Sequence, residues 1–221
     1  MSRILFAVGL AAALAGCATP EAVRLSDHKA TVNLRGQSVS IVNESAPSFG
    51  ALTADKAMFA VVGAFAAHEK GRQIVAENKI EDPSRRVERK LVQYLRRHYQ
   101  TRANPKVLDF TQKDKPDDLG AWAKANNTGG IIVDVETRGW GFNYFPTTWT
   151  RYRVGYSGLV RIIDAKTGKV FVQYMCQAGG PETAEVAPTY DEMMGNRAAH
   201  LKKLLKERAD KCVDQVKSKV L

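Results

Sequence analysis

Two acidic residues have the spacing that most directly suggests chemistry. Asp134 and Glu136 stand two apart in the segment IIVDVET, whose apolar start predicts a strand. Side chains two apart share a strand face, and paired carboxylates that flank a cleft can act as general acid and base on glycans. The sequence predicts no cleft here, so we expect these acids to face solvent at the edge of a sheet.

The remaining motifs give no sign of a catalytic or metal site. The four histidines are dispersed, and His68-Glu69 lacks the second histidine, four residues after the first, of a zinc-binding helix. The sequence contains no glycine-rich phosphate loop, nucleophile elbow or Cys-x-x-Cys pair. We therefore expect no catalytic residues, metal or cofactor, and a protein that is not an enzyme.

The segment RGWGFNYFPTTWTRYR, residues 138–153, carries aromatic and basic side chains and no acid. Three hypotheses fit it. The rings can form a core, with alternate residues on one strand face. They can bind a partner protein or glycan, since Trp, Tyr and Arg dominate binding hot spots. They can also contact a membrane at the headgroup level.

We expect a mixed outcome for this segment. Trp140 and Phe142 pack inside, residues 146–148 form a hairpin tip, and Phe145 and Trp149 are exposed at that tip. The candidate partner-binding residues are Trp140, Phe145, Trp149, Arg151 and Arg153.

The N-terminus has the pattern of an export signal. A basic Arg3 precedes an apolar run from Ile4 to Ala13, which is too short to span a bilayer but typical of a secretory signal. The residues Leu14-Ala15-Gly16-Cys17 that follow resemble the lipobox of bacterial lipoproteins. This resemblance implies a signal peptide over 1–16 and acylation of Cys17 with palmitate or a similar chain. From the composition of the residues that follow, we expect a tether over 17–29 and one domain over 30–221.

The same resemblance implies a location. In bacterial lipoproteins an Asp after the acylated Cys favours the inner membrane, and Ala18 here favours the outer membrane, facing the periplasm. In that compartment, the net charge of +10 favours nonspecific attraction to anions of the envelope. Peptidoglycan carboxylates, lipid phosphates and acidic proteins are present in that compartment, so we expect no nucleic-acid partner.

Cysteine usage agrees with export. Acylation of Cys17 leaves Cys176 and Cys212, and both are predicted to face the seam between helix and sheet. In an oxidising compartment such a pair forms a disulfide, worth about 4 kcal/mol for this loop in the chain-entropy model. The alternative is two buried thiols.

Periodicity predicts the elements that position these residues. They are a hairpin over 30–43, a helix over 52–78, a helix opened by Asp82-Pro83, strands at 106–110 and 131–136, a short helix from 117 to 126, a hairpin around 164–169 and a long helix capped by Thr189 and Glu192. This order predicts an α+β fold, a mostly antiparallel sheet covered by helices.

Two helix surfaces admit a binding role. Gly63, Ala67 and Gly71 form a stripe of small residues, which fits packing inside the domain or contact between copies of the chain. The second helix has a basic face that fits either a solvated surface or a binding surface, formed by Arg85, Arg86, Arg89, Lys90, Arg96 and Arg97.

Residues 84–177 resemble a group of envelope lipoproteins with a small anticodon-binding-like domain. The resemblance rests on VLDF, GGIIVDVET and the hairpin LVRIIDAKTGKVFV, and it implies a protein that docks other proteins without a catalytic site. We expect a lipid-anchored protein that binds or scaffolds an envelope protein or peptidoglycan. A subunit of an oligomeric envelope or secretion assembly, or a peptidoglycan hydrolase, are the alternatives.

Overall fold

The computed structural model describes residues 20–28, 33–53, 60–112 and 114–221. The predicted signal peptide, Cys17 and the start of the tether lie outside these residues. None of the described helices combines the length and hydrophobicity needed to cross a bilayer.

The described residues form four α-helices and six strands, after a short 3-10 turn at Leu25–His28. The helices are α1 (Ala60–Asn78), α2 (Pro83–Tyr99), α3 (Leu119–Ala125) and α4 (Tyr190–Lys219). The strands are β1 (Val39–Asn43), β2 (Gly50–Leu52), β3 (Lys106–Asp109), β4 (Ile131–Phe145), β5 (Thr148–Asp164) and β6 (Val170–Ala178).

The strands form one sheet in the order β3-β1-β4-β5-β6, with β2 beside the far part of β4. The long strands β4, β5 and β6 are antiparallel neighbours, whereas the short strands β1, β2 and β3 pair in parallel. The predicted α+β fold with a mostly antiparallel sheet is thereby confirmed. The short parallel strands were not anticipated.

The predicted hairpin over 30–43 is wrong in the part that the structure describes. Residues 33 and 34 are not in a strand, and β1 pairs instead with β3 and β4. The reason is that β1 carries apolar side chains on both faces: Val39 enters one core and Val42 the other. A strand that is apolar on both faces belongs inside a sheet.

The predicted helix over 52–78 begins later than expected. Leu52 belongs to β2, and within the described residues α1 starts at Ala60. Gly71 of the predicted small-residue stripe packs against the backbone of Phe49, with no room for a β-carbon. Gly71 therefore serves packing inside the domain. The surroundings of Gly63 and Ala67 lie outside what the structure describes.

The helices α2 and α4 cover one face of the sheet, and both start as the sequence predicts. Asp82 caps α2 by accepting a hydrogen bond from the Ser84 amide at 3.0 Å. Thr189 and Glu192 form a capping box at α4. The main core lies beneath these helices, and its fully buried members include Leu91, Leu95, Val133, Val160, Ile162 and Leu201.

Two further features complete the architecture. On the opposite face of the sheet, α3 covers a smaller core around Leu119, Ile132 and Ile163. The long helix α4 is interrupted, because residues 195–198 leave the helical conformation.

A disulfide joins α4 to the sheet. Cys176 on β6 is bonded to Cys212 on α4, with 5.3 Å between their α-carbons, and both residues are fully buried. The predicted pair is confirmed, and the alternative of two free thiols is wrong.

Candidate functional site

A β-bulge determines which way the aromatic segment faces. The β4–β5 register shifts between Thr137 and Gly139, and one extra residue reverses every side chain beyond it. Asp134 and Glu136 therefore face the same side as Lys115, whereas Trp140 faces the main core with the helices.

Beyond this bulge, β4 and β5 form an arm that ends in a hairpin tip at residues 146 and 147, because Thr148 of the predicted tip already belongs to β5. The outer end of the arm pairs Asn143 with Arg153 and Tyr144 with Tyr152, past the last residues that β6 covers. The segment before α4 supports its base, since the Tyr152 amide donates to the Pro188 carbonyl at 2.9 Å.

Two of the five predicted partner-binding residues are buried. The Trp140 indole is 8% exposed, donates to the Pro47 carbonyl at 2.8 Å and meets the edge of Phe49. Phe145 is 7% exposed, so the expectation of an exposed Phe145 is wrong. Its ring is covered by Arg153, whose guanidinium lies 5.2 Å from the ring centre.

The other three predicted residues remain at the surface. Trp149 is 58% exposed, and its indole N–H donates to the Pro146 carbonyl at 2.9 Å, which fixes the ring. Arg153 is exposed above Phe145. Arg151 is half-buried and donates to the Ala187 carbonyl at 2.8 Å, so it supports the arm more than it offers a free charge.

The outer face of the arm is unusually bare. Gly155 lies between the buried Val154 and Tyr156 and therefore points outward, where a β-carbon would meet nothing within 4 Å. A shallow groove of about 530 Å3 runs over Gly139, Gly155 and their neighbours in β6. Glycine inside a strand weakens it and often marks close approach of a ligand or another backbone.

The acidic pair is not at a solvent-facing edge, and this expectation is wrong. Asp134 is fully buried, because β4 lies inside the sheet and the side chains of Lys115 and Arg161 cover it. Lys115 also contacts Glu44 at 2.8 Å and Glu136 at 3.2 Å. A cation thus stands between the carboxylates, where a glycosidase needs a sugar.

In this ionic cluster, burial and the neighbouring charges act in opposite directions on the pKa values of Lys115 and Glu44. Burial pushes the pKa of Lys115 down, but the carboxylates of Asp134 and Glu44 outweigh burial and leave that pKa raised. Burial raises the pKa of the Glu44 carboxyl in spite of its hydrogen bond from Lys115. Sequence reasoning missed Lys115 and Arg161, although a charged residue inside the apolar run LVRII was a usable signal.

A second buried acid lies on the inner face of α2. Glu88 is 1% exposed, and its only ion pair among the described residues is to Arg85 at 3.3 Å. Burial raises the pKa of Glu88 to about 8. Arg85 is shared, since its guanidinium also donates to the carbonyls of Val42 and Glu44.

The basic face of α2 is mostly used within the fold. Arg86 and Lys90 both pair with Asp210 of α4, at 2.6 and 2.7 Å, and Arg89 pairs with Glu81 at 2.8 Å. Only Arg96 and Arg97 of the predicted set are exposed without an ion pair in the described residues. The part of the chain that the structure describes also contains no group of histidine, cysteine and acidic side chains able to hold a metal.

Comparisons with known proteins add little to this geometry. No family model matches the chain, and no curated protein matches it. Among solved structures, the hypothetical protein CT253 from Chlamydia trachomatis is similar at 11% identity and a TM-score of 0.36, over 83% of this chain and 94% of that one. A TM-score of this size does not establish a common fold.

Proposed function

We propose that this chain is a lipid-anchored protein of the bacterial outer membrane that has no enzymatic activity and binds or scaffolds other envelope components in the periplasm. The leading Leu14-Ala15-Gly16-Cys17 supports the anchor. The buried Cys176–Cys212 disulfide agrees with an oxidising compartment.

The observation that carries the binding role is the arm formed by β4 and β5. It ends in an exposed Trp149, whose ring is held by its hydrogen bond to Pro146, together with the exposed Arg153. The outer face of the arm carries glycine in place of larger side chains. A rigid aromatic ring with a neighbouring guanidinium is the composition of a binding hot spot. The bare strand face lets a partner approach the backbone closely.

The binding role is tested by crosslinking in cells. A photoreactive residue at position 149 should capture a specific envelope protein or peptidoglycan fragment, whereas the same residue at Lys166, an exposed turn position, should not. Equal capture at both positions would contradict a binding site on the arm.

The anchor is tested by metabolic labelling with a clickable palmitate analogue. The wild-type chain should carry the label and fractionate with the outer membrane, and Cys17→Ser should lose both properties. A labelled Cys17→Ser chain would contradict acylation at this residue.

Two alternatives have their own tests. A subunit of an oligomeric assembly would give a multiple of the mass of the mature chain in size-exclusion chromatography with light scattering. A peptidoglycan hydrolase would release soluble fragments from purified sacculi, and Asp134→Asn together with Glu136→Gln would abolish that release.

A further inference from the structure

A basic cavity lies on the helical side of the molecule, between the α1–α2 turn and the middle of α4. Its volume is about 200 Å3. Apolar side chains of Ile80, Pro83 and Leu205 contribute to its wall. The basic residues that line it are Lys79, Arg86, Arg89, Lys202 and Lys206.

The acidic side chains that line this cavity already have hydrogen-bond partners within the protein. Both carboxylate oxygens of Glu81 accept from Arg89, at 2.8 and 3.1 Å. Asp82 also lines the cavity, and it caps α2 and accepts from the Thr137 hydroxyl at 2.6 Å. Arg86 is bound through two nitrogens to Asp210.

Three lysines of the cavity have no such partner among the described residues. Within the part of the chain that the structure describes, Lys79, Lys202 and Lys206 make no side-chain hydrogen bond or ion pair, and Lys206 acts on Glu81 only through its field. Two of them come from α4 and one from the end of α1, so the fold brings together charges that lie far apart in the sequence. The lining therefore has a surplus of positive charge around an apolar wall.

We propose that this cavity binds the phosphate group of a small organic phosphate ester, with Lys79, Lys202 and Lys206 as its ligands. Lysine acts on phosphate as a point charge, and the arginine forks that would bind a carboxylate in two places are occupied. Drug-sized ligands need about 300 Å3 or more, so this cavity suits a headgroup-sized ester whose carbon atoms contact Leu205. The ester comes either from a soluble metabolite or from an anionic phospholipid, and this site goes beyond the proposed function because it needs neither the arm nor the anchor.

The test is calorimetric titration of the full chain with glycerol 3-phosphate. We expect saturable binding that weakens as salt is added. The triple variant Lys79→Gln, Lys202→Gln, Lys206→Gln should bind at least about tenfold more weakly, since three direct contacts are lost. The control triple Lys166→Gln, Lys203→Gln, Lys211→Gln removes the same charge from exposed positions outside the cavity and should bind like the wild type.

The source of the phosphate is resolved with vesicles and the Cys17→Ser full chain. If the chain prefers phosphatidylglycerol vesicles to phosphatidylcholine vesicles, and only the cavity triple loses this preference, the ligand is a lipid headgroup. If the chain binds glycerol 3-phosphate but neither kind of vesicle, the ligand is a soluble ester. The proposal is overturned if the two triples weaken binding equally, or if neither probe binds saturably. An unacylated Cys17 would leave these results unaffected, so failure of the anchor is distinguishable.

Discussion

Arg161 donates two hydrogen bonds to the same carboxylate oxygen of Asp134, from Nε at 3.0 Å and from Nη2 at 2.6 Å. The two residues are paired across β4 and β5, and Lys115 approaches the other oxygen at 3.4 Å. The fully buried carboxylate is thus neutralised on both oxygens. This geometry offsets a desolvation cost of several kcal/mol.

Removing one partner of this pair is expected to be costly. Arg161→Met leaves a buried carboxylate with Lys115 alone, and the free energy of unfolding should fall by about 3 kcal/mol. Urea unfolding followed by circular dichroism measures the change.

The matched control replaces both partners. Asp134→Leu with Arg161→Met removes the charge together with its counterion, and most of the lost stability should return. If the double variant is as unstable as Arg161→Met, the loss comes from packing rather than from an unpaired charge.

Glu88 should make the stability of the protein depend on pH. Its carboxyl ionises near 4.5 in the unfolded chain and at about 8 in the folded one. Folding therefore takes up a proton between these values, and the free energy of unfolding should fall as pH rises from about 5 to about 8. Burial is the main cause of this raised pKa; Arg85 lowers the pKa, whereas the charges of Asp134 and Asp82 raise it further.

Glu88→Gln isolates this contribution, because the amide stays neutral and still accepts from Arg85. Its stability relative to the wild type should increase with pH across that window, as measured by urea unfolding. The exposed Glu77→Gln is the control, and parallel pH profiles for wild type and Glu88→Gln would contradict the assignment.

The disulfide should contribute measurably to stability. Replacing both Cys176 and Cys212 with Ala should cost about 2–5 kcal/mol, because the unfolded chain regains the freedom of a 36-residue loop. Reductant should destabilise the wild type by a similar amount and leave the double variant unchanged. A wild type that unfolds at the same urea concentration with and without reductant would argue against the bond.

Phe145 and Trp149 form a natural pair of probes at the hairpin tip. Phe145→Ala should lower the free energy of unfolding by about 3 kcal/mol, since a buried ring is lost. Trp149→Ala should change it by less than about 0.5 kcal/mol, because the ring is exposed. Thermal unfolding compares the two, and a large loss for Trp149→Ala would assign that ring to the core.

Local sequence patterns were sufficient for elements with local partners. The Asp82-Pro83 helix start, the Thr189 capping box and the hairpin at 164–169 all depend on residues within a few positions of one another. The pairing of Cys176 with Cys212 was also predictable, because both residues lie on the apolar side of strongly periodic segments.

Features that depend on distant partners were not predictable in this way. The neighbours of β1 lie more than 60 positions along the chain, so alternation alone suggested a hairpin instead. Asp134 was wrongly predicted to face solvent for the same reason, since the residue pattern of a strand does not show whether the strand lies at the edge of a sheet or inside it. Phe145 was misplaced because Arg153, on the returning strand, covers its ring, and a position at the hairpin tip does not reveal that contact.

The bulge between Thr137 and Gly139 also constrains how this protein can change during evolution. A single residue inserted or deleted in β4 between this bulge and Trp140 would exchange the inside and the outside of β4 beyond it, placing Trp140 in water and a bare glycine against Phe49. Length variation in the arm should therefore occur in steps of two residues, shared between both strands. The tip can then be lengthened or shortened while the helices beneath it keep the same aromatic lining.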